Sequence, residues 1–167
     1  MTTFEKKICM MGAPGVGKTS LVKRYVESMF SDKYLSTVGV KIDRKVVKIG
    51  EDDVSLLLWD LQGEERYQWI RMQYLKGAGG FLLVVDGTRP KTLEVAMGLQ
   101  ENAEGRVGPV PFVLLLNKAD IRSEWQIDLA ATGRLQSAGW VVMETSAKTG
   151  SNVDEAFESL ARRMLNR

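Results

Sequence analysis

Apolar residues fall in short runs separated by polar and glycine-bearing stretches, and their spacing alternates between strand-like and helix-like periods. The runs at 8–11, 81–85 and 112–116 are continuous and short, as expected of strands buried on both faces. Segments 40–49 and 54–59, separated by Gly50-Glu51-Asp52-Asp53, predict a hairpin. A further short strand is expected at 140–143. Helices are expected at 18–29, 65–76, 91–104, 125–137 and 152–165. The last carries Val153, Ala156, Phe157, Leu160 and Met164 on one face, and Ser151 with Asp154 reads as a capping box at its start. The pattern predicts an α/β fold, with six strands and five flanking helices and one antiparallel hairpin in an otherwise parallel sheet. With 167 residues and neither repeat nor linker, the chain reads as one domain over 1–167.

Composition narrows the chemistry by exclusion. Lys and Arg total 23 against 21 Asp and Glu, so no broad basic field marks a nucleic-acid binder. There is no histidine, which removes Ser-His-Asp triads, HExxH zinc sites and any histidine base. The single cysteine, Cys9, lies between Ile8 and Met10 and reads as a core filler in a reducing compartment. No apolar run is long enough to span a bilayer, and the first residues carry no signal-peptide core. No cysteine stands at the C-terminus and Thr2 follows Met1, so a cytoplasmic protein with no visible lipid anchor is expected.

The strongest motif is Gly12-Ala13-Pro14-Gly15-Val16-Gly17-Lys18-Thr19, a full G-x-x-x-x-G-K-[ST] match. It follows a predicted strand and opens a predicted helix, the context such a loop requires. Gly12, Gly15 and Gly17 allow the backbone to wrap closely and turn its N–H groups inward. The helix N-terminus adds positive potential for phosphate, Lys18 is placed for the β- and γ-phosphates, and the Thr19 hydroxyl for Mg²⁺. Val16 and Ser20 complete the expected binding segment.

This loop does not choose the base. Asn117-Lys118-Ala119-Asp120 follows the buried strand at 112–116, at the carboxyl end where α/β sheets collect ligands. A carboxylate such as Asp120 accepts two hydrogen bonds and matches the N1–H and N2–H₂ donors of guanine. Adenine lacks that donor pair and would leave Asp120 unpaired, at a cost of roughly 1–3 kcal/mol.

With these motifs in order, the chain resembles the small GTPases of the Ras superfamily over nearly its whole length. Val38-Gly39-Val40, Trp59-Asp60 and Glu65-Arg66-Tyr67 look most like the Rab branch. The resemblance implies a P-loop NTPase G domain that binds GTP or GDP with Mg²⁺. It places Ser146-Ala147-Lys148 as the last base-contacting loop, with the Ala147 N–H toward guanine O6, and sets Phe30 against the base. Thr37 would coordinate Mg²⁺ and hold the γ-phosphate through its N–H, Tyr34 would fold over the phosphates, Asp60 would meet Mg²⁺ through water, and the Gly63 N–H would contact the γ-phosphate. Both switch segments would then be ordered by the γ-phosphate and released on hydrolysis.

Three departures bear on activity. Asp60-Leu61-Gln62-Gly63-Glu64 stands where the family usually has Asp-Thr-Ala-Gly-Gln, so Glu64 replaces the water-orienting glutamine. A carboxylate accepts from the water but donates nothing and adds negative charge beside the γ-phosphate. Gln62 stands as a second candidate to orient the water, and slow unassisted hydrolysis is expected. Pro14 stands where many relatives have glycine; it removes one N–H and crowds the γ-phosphate. Lys41-Ile42-Asp43 departs from the acidic and aromatic residues usual in Rab proteins, which together with the missing lipid-acceptor cysteine suggests a prokaryotic or unlipidated relative. No internal arginine finger is evident, and Arg44 and Arg66 read as surface charges.

On the helix at 65–76, Tyr67, Ile70 and Tyr74 share a stripe, leaving Trp69 and Met72 turned away from it. These two form a candidate surface for nucleotide-dependent effectors and regulators; packing against a neighbouring helix is the equal alternative. Lys41, Asp43 and Lys45 read as a solvated strand face. The expected function is a GTP-binding switch that hydrolyses GTP slowly. The rivals are a GTP-binding interaction module with negligible hydrolysis, and a small-molecule kinase sharing the phosphate loop, against which Asn117, Asp120 and Thr37 argue.

Overall fold

The computed structural model describes residues 3–28, 40–61 and 72–166. In chain order the elements are β1 (Thr3–Gly12), α1 (Lys18–Glu27), β2 (Val40–Ile49), β3 (Asp52–Leu61), β4 (Gly80–Asp86), α2 (Lys91–Val107), β5 (Phe112–Asn117), α3 (Leu129–Ser137), β6 (Val142–Thr145) and α4 (Val153–Met164), with 3-10 segments at Met72–Leu75 and Ala119–Glu124. The six strands form one sheet in the order β2-β3-β1-β4-β5-β6. Only the β2–β3 pair is antiparallel.

Strand alternation divides the core between the two faces of this sheet. Ile8 and Met10 of β1 join Leu56, Leu82 and Leu115 under α1 and α4. Cys9 and Met11 join Phe81, Leu83 and Leu114 under α2. The rings of Tyr25 and Phe157 stack at 4.2 Å and nearly parallel, locking α1 to α4. The layers are those the hydrophobic pattern predicts.

Several boundaries differ from the expectation. β1 begins at Thr3 rather than Ile8, because its half-exposed first residues still pair with β3 from Thr3↔Asp53 onward. The hairpin is tighter than expected: β3 starts at Asp52, leaving Gly50 in a left-handed turn with Glu51. Residues 125–128 are not helical. The Trp125 indole N–H donates to the Lys118 carbonyl and the N–H groups of Gln126 and Ile127 bond Gly87, so α3 starts only after Asp128, whose carboxylate caps it. β6 lies two residues later than expected because pairing with β5 sets its register, Asn117↔Thr145. The Ser151–Asp154 capping box does not form. Asn152 is the N-cap, in a left-handed conformation with no side-chain cap bond, and its amide instead donates to the Glu144 carbonyl. Of the helix expected at 65–76, residues 65–71 lie outside the described residues, and Met72–Leu75 is a single 3-10 turn.

The charged face of β2 is corrected in part: Lys41 is exposed as expected, but Lys45 is not. Lys45 does not face solvent: its ammonium donates to the Tyr25 carbonyl at 2.7 Å and sits 3.8 Å from that ring's centroid, on the side where Val47 and Ile49 are buried. Ile42 and Val46, on the opposite face, are exposed at 51% and 61%. Register with β3 overrides the polarity of the sequence, because the long lysine stem packs along the ring while its charge finds a carbonyl.

Candidate functional site

β1, β3, β4, β5 and β6 run in parallel, so their carboxyl ends lie on one edge of the sheet. Chain direction across the sheet reverses about β1, and the loops leaving β1 and β4 therefore flank the switch point where open α/β sheets bind ligands. Gly12, Asp86, Asn117 and Thr145 end four of these strands, and Asp60 is the penultimate residue of β3.

The loop at 13–17 joins β1 to α1. Gly12, Gly15 and Gly17 have φ of 155°, 76° and 105°. At Gly17 an added Cβ would lie 2.3 Å from the Asn117 amide nitrogen, so glycine is required by both conformation and space. Among the described residues nothing accepts the N–H groups of Gly15, Val16 and Gly17. Lys18, 7% exposed, curls back to donate to the Gly12 and Ala13 carbonyls at 3.0 and 3.2 Å. A buried ammonium beside loop N–H groups that bond no described acceptor, at a helix N-terminus, is suited to an anion.

The Thr19 hydroxyl donates to an oxygen of Asp60, which is fully buried. This hydroxyl–carboxylate pair is an all-oxygen donor set, the chemistry a hard divalent cation takes. Among the described residues no group of three acidic, Cys or His side chains surrounds it. Mg²⁺ characteristically takes few protein ligands and fills its shell with water and phosphate oxygens, so the residues present fit that ion.

Asn117 ties the first loop to β6. Its amide donates to the Val16 carbonyl at 2.9 Å, and its own carbonyl accepts from the Thr145 hydroxyl at 3.2 Å. Asp120 is exposed, and one oxygen accepts from the buried Ser146 hydroxyl at 2.8 Å. Ser146 also accepts from the Thr149 N–H, which shapes the turn carrying Ala147 and Lys148. Behind that turn Arg24 of α1 donates to the Ala147 and Lys148 carbonyls. Lys118 adopts a left-handed conformation at φ 74°, and its ammonium meets Asp86 at 2.7 Å.

The structure thus brings together Gly12, Gly15, Val16, Gly17, Lys18, Thr19, Ser20, Asp60, Asn117, Lys118, Asp120, Ser146, Ala147 and Lys148 at one sheet edge. Phe30, Tyr34, Thr37, Gln62, Gly63, Glu64, Arg66, Tyr67, Trp69 and Ile70 lie outside the described residues, as does the side chain of Met72. Arg44 reads as expected at the surface, donating to Ser55 and pairing with Glu5 at 2.9 Å.

Sequence reasoning passed over Asp86, Arg89 and Arg24. Asp86 is 1% exposed and accepts from Lys118, from Arg89 and from Thr88. Burial alone would raise its pKa, but these hydrogen bonds and the Lys118 charge outweigh burial and hold the carboxyl below its usual range. A signal existed: Asp86 ends a buried apolar strand, as Asn117 does.

A profile of the Ras family matches residues 7–166 of the chain. The chain is 36% identical over 161 residues to the Ras-related protein Rab-13 of Canis lupus familiaris, covering 95% of this chain and 79% of that protein. It is 37% identical to Rab-13 of Bos taurus over the same length. It is 34% identical over 166 residues to the Ras-related protein Rab-4B of Homo sapiens, covering 98% of this chain and 78% of that protein. The chain belongs to the Ras family and is a Rab-like small GTPase of the Ras superfamily. No helix among the described residues is long and apolar enough to cross a membrane.

Proposed function

We propose that this single-domain chain is a guanine-nucleotide switch that binds GTP with Mg²⁺ and hydrolyses it slowly to GDP and phosphate. The observation that carries this reading is the joining of the glycine-rich loop, Asn117 and the Asp120–Ser146 pair at one sheet edge. The Asp120 carboxylate accepts the two guanine donors, and the Ala147 N–H meets O6. Lys18 exchanges its two carbonyl partners for the β- and γ-phosphates, joined there by the loop N–H groups. Thr19, Asp60 and Thr37 would hold Mg²⁺. When bound, the ion would supply neutralisation of the negative charge on the phosphates. Phe30 lies against the base, Tyr34 over the phosphates, and the N–H groups of Thr37 and Gly63 meet the γ-phosphate.

In hydrolysis a water oxygen bonds to the γ-phosphorus as the bond to the β,γ-bridging oxygen breaks. The electron pair stays on GDP and the water's proton ends on phosphate. Glu64, with Gln62 nearby in sequence, receives the water's hydrogen bond. Because Glu64 donates nothing and adds negative charge, the unassisted reaction is slow. Effectors and regulators dock on the switch segments, including Trp69 and Met72, when the γ-phosphate orders them. A lone, free and buried cysteine supports a cytoplasmic location, in a reducing compartment.

The test is single-turnover hydrolysis of preloaded GTP with Mg²⁺. Wild type is expected to turn over on a scale of minutes to hours, and Glu64→Gln to be at least about tenfold faster, since a water-orienting glutamine is restored. A wild-type rate as fast as that variant's would refute the role given to Glu64. No hydrolysis in either protein would favour the second reading, a GTP-binding interaction module, for which the glutamate at this position is the supporting observation.

A further inference from the structure

Arg89 stands just after β4, on the far side of the switch point from the glycine-rich loop. Its Nε donates to Asp86 at 3.2 Å, and its Nη2 donates to the Pro14 carbonyl at 2.6 Å. Asp86 is the carboxylate that also receives Lys118, two residues before Asp120. One buried anion therefore anchors two cations, of which one belongs to the base-side loop and the other reaches across to the phosphate-side loop.

Pro14 has no N–H, so its carbonyl is its only backbone polar group, and Arg89 holds it from outside the loop. Gly15 follows at φ 76°, a natural pivot for that segment. The planar guanidinium reaches both acceptors at once from a side chain that is half exposed. Bound nucleotide leaves only when the loop at 13–17 loosens from its phosphates. A link holding that loop to the β4 end opposes this opening without touching the ligand.

Resting on the guanine-nucleotide reading above, we propose that Arg89 is a positioning residue that clamps the glycine-rich loop through Pro14 and thereby sets the residence time of the nucleotide. The role assigned is positioning rather than that of an arginine finger, since Nε and Nη2 each donate to the protein itself. The clamp acts on dissociation. The clamp opposes loosening of the loop once phosphate is bound, so its effect is concentrated in the release rate.

The experiment is stopped-flow measurement on the full chain, using fluorescently labelled GDP and Mg²⁺. Labelled GDP is mixed with nucleotide-free protein for association, and preloaded protein is chased with excess unlabelled GDP for release. Arg89→Ala is expected to release GDP about tenfold faster, the scale of a lost charge-assisted hydrogen bond, with its association rate unchanged. Arg89→Lys keeps the charge but reaches one acceptor, so an intermediate rate is expected. The melting temperature of nucleotide-free Arg89→Ala is expected to fall by no more than a few degrees, because Asp86 keeps Lys118 and Thr88 as partners. Release from Arg89→Ala within about twofold of wild type overturns the clamp. So does faster release accompanied by a large fall in the nucleotide-free melting temperature, which assigns Arg89 to general stability. Failure of wild type to bind labelled GDP is a separate result and overturns the guanine-nucleotide reading itself.

Discussion

Gly17 is held by two independent constraints, a φ of 105° and an Asn117 amide where its Cβ would be. Left-handed strain alone costs about 1–3 kcal/mol in a residue with a side chain. Gly17→Ala is therefore expected to weaken GDP binding at least about tenfold in a fluorescence titration, with displacement of Asn117 adding to the loss. Cys9 is fully buried, and burial pushes its thiol up to about 12, with Lys7 pulling weakly the other way. The folded state thus disfavours the thiolate. This contribution to stability is whole below the thiol's ordinary value of 9.0 and falls as pH climbs from there toward about 12. Alkaline loss of melting temperature is expected to be smaller in Cys9→Ala than in wild type, and native Cys9 should resist alkylation at pH 8. Both residues were legible in part. The apolar run marked Cys9 as core, and the motif marked Gly17, but the Asn117 contact that makes glycine necessary joins positions far apart in the chain.

At the scale of elements, α1 and α4 meet through the Tyr25–Phe157 stack, and Phe157 is fully buried. Phe157→Ala should destabilise the fold by about 3–5 kcal/mol in urea denaturation, as large-to-small core changes do. Because α1 carries both Lys18 and Arg24, nucleotide affinity should weaken with it. The periodicity of α4 was readable because burial is one-sided: Val153, Ala156, Phe157 and Leu160 are all buried. The start of α3 was not, because Trp125 is drawn out of helical conformation by Lys118 and Gly87, neither within its own helical turn. Lys45 misled for a related reason, since the partner that draws it inward is a carbonyl on α1.

For the whole molecule, the site is assembled from the ends of five parallel strands, so ligand binding and folding are coupled. A ligand that binds only the folded state stabilises it by about 4.1 kcal/mol at a thousandfold excess over its Kd. For a domain of this size that corresponds to a rise of roughly 8–16 °C in melting temperature. GDP with Mg²⁺ is expected to produce such a rise in a thermal scan and ADP to produce none, because Asp120 finds its two donors only on guanine. An equal shift with ADP would overturn the role of Asp120.

The sequence by itself determined the strands, most helices, the two-faced core and the glycine-rich and Asn117–Asp120 motifs, because these depend on neighbours within a few positions. It also determined the substitutions at Pro14 and Glu64. Only the tertiary structure decided that Asp86 joins Lys118 to Arg89, that Arg89 reaches Pro14, that Arg24 braces the turn at Ala147, and that Lys45 folds onto Tyr25. Those contacts arise where strand register and crossovers bring distant segments to one edge of the sheet. Local propensity says nothing of which polar group will be waiting there.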